Sequence, residues 1–207
     1  MVTYVVLVNN CDRSFRMTIL HIDSAITGEF SASRELTAAI VRELRAADPG
    51  AEVTYRDLAA DPLPHLALPA FAGPDSQAAL AEFKAADTVV IGAPMYNFTV
   101  PSQLKAWIDR ILVAGETFRY TDTGAVEGLA GAKRVIVAVA RGGLYGGATP
   151  QRAFEHAERY LANVFAFIGV TDLSFVIAEG LKVSDDTRSE ALAAAHARIG
   201  QLLLLAA

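Results

Sequence analysis

From Met17 onward, short apolar runs rich in β-branched residues alternate with segments whose apolar residues recur at helical spacing. This rhythm constrains the fold more than any other feature of the chain. Strands that read as continuous apolar runs are buried on both faces, and strands separated by helices are joined by crossovers, so the pattern specifies βαβ units and a parallel sheet. Thr18–Asp23 reads as the first strand and Ser24–Ser31 as a loop. Ala32–Ala47 reads as a helix with Leu36, Ile40, Val41 and Leu44 on one face, stopped by Asp48-Pro49-Gly50. Glu52–Leu58 is a second strand whose interspersed charges suit an edge position. Asp61–Asp75 holds Pro62, Pro64, Pro69 and Pro74 and is expected to cross the surface without regular helix. Gln77–Ala86 is a helix and Asp87–Gly92 the central strand. Ser102–Gly115 is again helical, and Glu116–Gly124 reads as a strand end running into a turn. Lys133–Ala140 is the fourth strand, Gln151–Ile168 a helix, Asp172–Glu179 the fifth strand and Asp185–Leu205 the last helix. Five strands with interleaved helices give an α/β three-layer sandwich with a parallel sheet in the flavodoxin-like order 2-1-3-4-5.

A length of 207 residues suits one such domain. No apolar run approaches the roughly 18 residues of a membrane-spanning helix, so no integral membrane segment is expected. Acidic and basic residues are spread along the chain with a net charge of −5, which leaves no basic stripe for nucleic acid. Cys11 is the single cysteine, which fits a reducing compartment, and a cytoplasmic location is expected. Residues 1–16 lack the charged start and small-residue cleavage site of a signal peptide; they read as a dispensable extension before a domain at 17–207.

In a doubly wound sheet, ligands bind beyond the carboxyl ends of the strands. Three loops fall there. Ala93–Pro101 follows the central strand, and Pro94 and Pro101 stiffen its ends, leaving Met95, Tyr96, Asn97 and Phe98 with backbone groups suited to the edge of a flat heterocycle. Asn97 both donates and accepts, matching an imide edge, although a turn asparagine is an equally ordinary reading. Ser24–Ser33 places hydroxyls and free N–H groups at a helix N-terminus, which suits an anion; plain N-capping by Ser31 or Ser33 explains the same residues. Neither G-x-x-x-x-G-K-[ST] nor G-x-G-x-x-G occurs, so a phosphate monoester fits better than a nucleoside triphosphate or a Rossmann-held dinucleotide. Arg141-Gly142-Gly143 after the fourth strand offers backbone donors, or is a flexible connector. His21, His65, His156 and His196 lack metal-ligand spacing, and no metal site is expected. His21 and Trp107 read as packing residues; Asp109 and Arg110 read as solvated or interface charges.

Met95-Tyr96-Asn97-Phe98 between Ala93-Pro94 and Leu104-Lys105, then Thr117–Thr121, Arg141–Gly143, Phe167–Asp172 and Ala178-Glu179-Gly180, resemble in order and spacing the bacterial FMN-dependent NADH azoreductases, also described as NADH:quinone oxidoreductases. The resemblance runs from Met17 to the C-terminus. It implies that Ser24 and Ser31-Ala32-Ser33 hold the FMN phosphate. Pro94 to Phe98 would meet the isoalloxazine edge, and Ala140, Arg141, Gly142 and Gly143 would form a second flavin loop. Ala140 stands where the family usually has a hydroxyl. Tyr120 and Phe167 match aromatic walls of the substrate pocket, and Tyr145 a pocket position that is polar in some relatives. The implied reaction is a two-step transfer of hydride from NADH through tightly bound FMN to quinones or azo compounds. The implied assembly is a homodimer whose second chain completes each site near Tyr120 and Phe167, and the flavin rather than a catalytic side chain carries the chemistry. The alternatives are an NADPH-preferring quinone or chromate reductase and a flavodoxin-type electron carrier.

Overall fold

A computed structural model describes residues 16–204. The expected extension therefore lies almost wholly outside the described residues. The chain alternates β1 (Thr18–Asp23), α1 (Ala32–Ala47), β2 (Glu52–Asp57), α2 (Pro74–Ala85), β3 (Thr88–Pro94), α3 (Ser102–Ile111), β4 (Phe118–Tyr120), β5 (Val126–Gly128), β6 (Arg134–Ala140), α4 (Ala157–Phe167), β7 (Asp172–Ala178) and α5 (Asp185–Leu204). Five parallel strands form one sheet in the order β2-β1-β3-β6-β7, which is 2-1-3-4-5 once the β4–β5 hairpin is set aside. The α/β flavodoxin-like sheet expected from the alternation is thus the one observed.

The layers follow from side-chain alternation. On one face Leu20, Ile22, Val89, Ile91, Val135 and Val137 meet Phe83, Trp107, Ile108, Leu161 and Phe165 from α2, α3 and α4. On the other, Ile19, Val90, Ile136 and Val176 meet Leu36, Ile40 and Leu44 of α1 and Ala195 and Ile199 of α5. β3 is buried along its whole length, whereas β2 is mostly exposed and forms the edge. The charges of β2 are paired rather than merely tolerated: Arg56 holds Glu82 of α2 through two hydrogen bonds of 2.6 and 2.8 Å, and Asp57 holds Arg34 of α1 through two of 2.7 and 2.8 Å.

Several boundaries differ from the sequence reading for identifiable reasons. The helix expected over 151–168 is a short 3-10 turn at Pro150–Phe154 followed by α4. Between them the Glu155 carboxylate accepts from the N–H of Glu158 at 2.8 Å and so starts a new helix. α3 stops at Ile111 because the Thr117 hydroxyl donates to the Ile111 carbonyl at 2.6 Å, capturing an acceptor that a further turn would need. The segment 116–124 enters a true hairpin, β4 against β5. Arg110, read as a surface charge, is 1% exposed and donates to the carbonyls of Ala106 and Pro64 at 2.7 and 2.8 Å, fixing the proline-rich crossing to α3.

Candidate flavin cleft

The carboxyl ends of β1, β3 and β6 open onto a cleft of about 390 Å3, walled by the loop after β1, the loop after β3, the loop after β6 and the residues following β7. A second cavity of about 940 Å3 adjoins it, sharing Met95, Tyr96, Asn97 and Lys182. Pro94, Met95, Tyr96, Asn97, Phe98, Ala140, Arg141, Gly142, Gly143 and Tyr145 all line the first cleft, as do Ser31 and Ala32. Ser24 and Ser33 do not line it; both are fully buried behind it. Tyr120 and Phe167 line neither cavity. They sit instead with Phe118 in an aromatic group at the hairpin, with ring centroids 4.7 Å apart for Phe118–Phe167 and 5.6 Å for Phe118–Tyr120.

Each wall is built by hydrogen bonds that leave specific donors free. After β1, Ser31 caps α1 by accepting from the N–H of Arg34 at 3.3 Å, and its hydroxyl lies 3.0 Å from that of Ser33. The backbone N–H groups of Ala32 and Ser33, in the first turn, have no acceptor among the described residues. A helix N-terminus with open donors attracts negative charge. The Ser24 hydroxyl donates at 2.6 Å to the carbonyl of Gly92, tying this loop to β3. Arg34, held on Asp57, also donates to the Ala25 carbonyl at 2.9 Å, bracing the loop from below.

After β3, Tyr96 and Thr99 form a two-residue turn with Asn97 and Phe98 at its centre. Both central residues have positive φ, which is ordinary for asparagine and costly for phenylalanine. The strain is held by outside contacts. The Phe98 carbonyl accepts from the N–H of His156 at 2.9 Å, its ring lies 5.6 Å from that of Phe154, and the Tyr96 hydroxyl accepts from the N–H of Ile26 at 3.2 Å. The turn therefore aims the N–H groups of Asn97 and Phe98, which have no acceptor among the described residues, in a fixed direction.

After β6, the carbonyls of Arg141, Gly142 and Gly143 accept from Leu181, Lys182 and Gly180 at 3.1, 2.9 and 2.9 Å, while the N–H groups of Gly142 and Gly143 have no acceptor among the described residues. The Arg141 side chain turns away from the cleft. It is 1% exposed and pairs with Glu158 at 2.5 Å, and with Glu155 and Glu179 at 3.4 Å each. Glu179 in turn accepts from the N–H groups of Tyr145 and Gly146 at 3.0 and 2.9 Å, so one carboxylate fixes both ends of the loop.

Three sets of free backbone donors thus border a cleft that no aspartate or glutamate lines. The donor set fits FMN: a helix N-terminus for a phosphate dianion, and rigid N–H groups on two further walls for the polar edge of the flavin ring. Tyr160, on the second cavity, has its phenol pushed up to about 12 by burial and by the nearby Asp109 charge, so it stays a protonated hydrogen-bond donor at neutral pH. Among the described residues no cluster of metal-ligating side chains occurs, and no helix is long and apolar enough to cross a membrane.

Comparison with known proteins shows the family. A family model described as a flavodoxin-like fold matches residues 17–203. The FMN-dependent NADH:quinone oxidoreductase 2 of Bradyrhizobium diazoefficiens is 58% identical over 193 residues, covering 86% of this chain and 95% of that protein. The chain belongs to this flavodoxin-like family of FMN-dependent NADH:quinone oxidoreductases. The FMN-dependent NADH:quinone oxidoreductase of Xanthomonas campestris pv. campestris is 52% identical over 202 residues, covering 90% and 99% of the two chains. Among solved structures, an FMN-dependent NADH-azoreductase of Bacillus anthracis in complex with FMN superposes with a TM-score of 0.82 at 26% identity, covering 90% of this chain and 97% of that one.

Within this cleft, sequence reasoning missed two cations, Lys182 and Arg188. They follow β7, a segment in which only Ala178-Glu179-Gly180 stood out. The signal that finds them is topological, because every loop at the carboxyl end of a neighbouring strand faces the same crevice.

Proposed function

We propose that the cleft binds FMN and that the protein transfers hydride in two steps, from NADH to the flavin and from the flavin to a quinone or an azo compound, with both substrates using one pocket in turn. When bound, FMN supplies the hydride-accepting and hydride-donating chemistry. The observation that carries the reading is the border of unsatisfied backbone donors around a carboxylate-free cleft.

The roles divide by wall. The N–H group of Ala32 and the Ser31 hydroxyl hold the phosphate, with Ser24 and Ser33 acting from behind as struts. Pro94 to Phe98 hold the pyrimidine edge, with Asn97 as the side chain that both donates and accepts. Gly142 and Gly143 would offer their free N–H donors to the flavin ring, and glycine lets the backbone approach closely. Ala140 contributes backbone alone: its carbonyl accepts from Met95 at 2.8 Å and it has no hydroxyl to offer. Arg141 anchors this loop by its side chain and meets the cofactor only through its main chain. Tyr145 borders the substrate side. Protons reach the acceptor from solvent.

Tyr120 and Phe167 reach a pocket only through a second copy of the chain, and the homodimer is part of this proposal. Phe30 at 89% and Tyr120 at 65% exposure are aromatic surfaces that a partner would cover. The domain at 17–207, an extension over 1–16 that is not needed for activity, and a cytoplasmic location complete the reading. Purified protein supplied with FMN should, without oxygen, consume NADH beyond one equivalent per flavin only when a quinone is added; bound flavin without turnover would overturn the assignment.

A further inference from the structure

Both cavities at the carboxyl end of the sheet lack acidic lining residues, although the chain carries a net charge of −5. Lys105, Lys182 and Arg188 are the cationic side chains there, apart from the withdrawn Arg141. Lys105 is already neutralised by Asp109, one helical turn away at 2.5 Å. Arg188 lies on α5, whose His196 pairs with Glu35 in the first turn of α1 at 2.9 Å. Eight residues earlier on α5 corresponds to about 12 Å of helix, which carries Arg188 beyond the N-terminus of α1, to the phosphate end of the cleft.

Lys182 differs from both. It lines the two cavities together, at the point where they meet. Its N–H is fixed on the Gly142 carbonyl at 2.9 Å, and its stem runs along Gly142, with Cγ and Cδ 3.4 and 3.3 Å from where a Cβ on that glycine would stand. The stem is thus laid over the loop that carries the free flavin-facing donors, while the residue remains exposed. A lysine so placed keeps its ammonium in water at the rim. Among the described residues no carboxylate lies within ion-pair distance of it.

We propose that Lys182 is a specificity-determining residue that selects planar acceptors carrying an oxyanion, a sulfonate or carboxylate, over neutral acceptors of the same ring system. This rests on the reading of the cleft as the flavin site. An unpaired cation beside a stacking surface raises the local concentration of anionic partners and pairs with their acid group once they are bound. NADH also brings oxyanions in its diphosphate, and the test separates the two sources.

The probes are naphthoquinone and naphthoquinone sulfonate with the FMN-loaded wild type, Lys182→Met and Lys182→Glu. For Lys182→Met the ratio of kcat/KM for the sulfonate to that for the neutral quinone should fall about tenfold, and further for Lys182→Glu. Raising the salt concentration should narrow the wild-type preference. Rapid-reaction measurement of flavin reduction by NADH alone should show a much smaller change than the acceptor ratio. An unchanged ratio overturns the assignment. So does an equal loss in the NADH step, which would give the ammonium to the donor, and so does loss of retained FMN, which would give it to the cofactor. Failure of the wild type to turn over either quinone would instead overturn the functional reading.

Discussion

Tyr96 and Thr99 hydrogen-bond to each other through both backbones, at 2.9 and 3.2 Å, which holds Asn97 and Phe98 between them at φ of 47° and 75°. This is the geometry of a primed hairpin turn, in which the second central residue is ordinarily glycine. Phenylalanine there costs about 1–2 kcal/mol of backbone strain. Asn97→Val, with a branched side chain that resists positive φ, should lower stability by about 1–3 kcal/mol in urea unfolding. Asn97→Ala should weaken FMN retention beyond what its loss of stability accounts for. Unchanged FMN affinity would show that Asn97 serves the turn alone.

Ser24 and Ser31 are both serines of the loop after β1, yet the fold uses them differently. Ser24→Ala leaves the buried Gly92 carbonyl without its 2.6 Å partner and should cost about 1–3 kcal/mol of stability. Its effect on FMN affinity, read by fluorescence titration, should be smaller than that of Ser31→Ala. The latter removes a residue that lines the cleft and a helix cap worth about 1 kcal/mol. A reversed order would give Ser24 a direct contact with the phosphate.

The sheet was legible because β1, β3 and β6 are buried on both faces and so spell continuous apolar runs, and because α1 carries both a serine cap and a clear stop. Polarity likewise marked β2 as the edge. The broken helix before α4 was not legible, since Gln151–Ile168 keeps helical spacing through a break made by a Glu155 side-chain bond. Burial of Arg110 depends on a carbonyl of Pro64, far away in sequence. At the site, the loops and most lining residues could be read, but not the strain at Phe98, because Asn-Phe lacks the glycine that announces a primed turn. Lys182 was invisible for a similar reason: its place depends on the registry of β7 beside β6.

Acid should loosen the base of the loop after β1. The Asp57 carboxyl is held below the usual carboxylate range, chiefly by its hydrogen bonds from Arg34 and then by the N–H groups of Ala59 and Ala60, against an opposing effect of burial. Because the folded value lies below the unfolded one, the stabilisation is complete above about pH 4 and is lost as pH falls through the folded value. Asp57→Asn should therefore be less stable than wild type at neutral pH, with the gap closing as pH drops below about 4, measured by chemical unfolding across that range. A gap independent of pH would mean that the Arg34–Asp57 pair adds nothing through its charge.

In the function proposed above, this cleft holds a flavin that takes hydride from NADH and passes it to a small planar acceptor. Anaerobic titration of the FMN-loaded protein with NADH, followed by a quinone, tests it in one cuvette. The yellow flavin absorbance should be lost at one NADH per flavin, without accumulation of a half-reduced form, and colour should return fully when the quinone is added. Flavin that stays oxidised under NADH, or that stops at the one-electron stage, would contradict it.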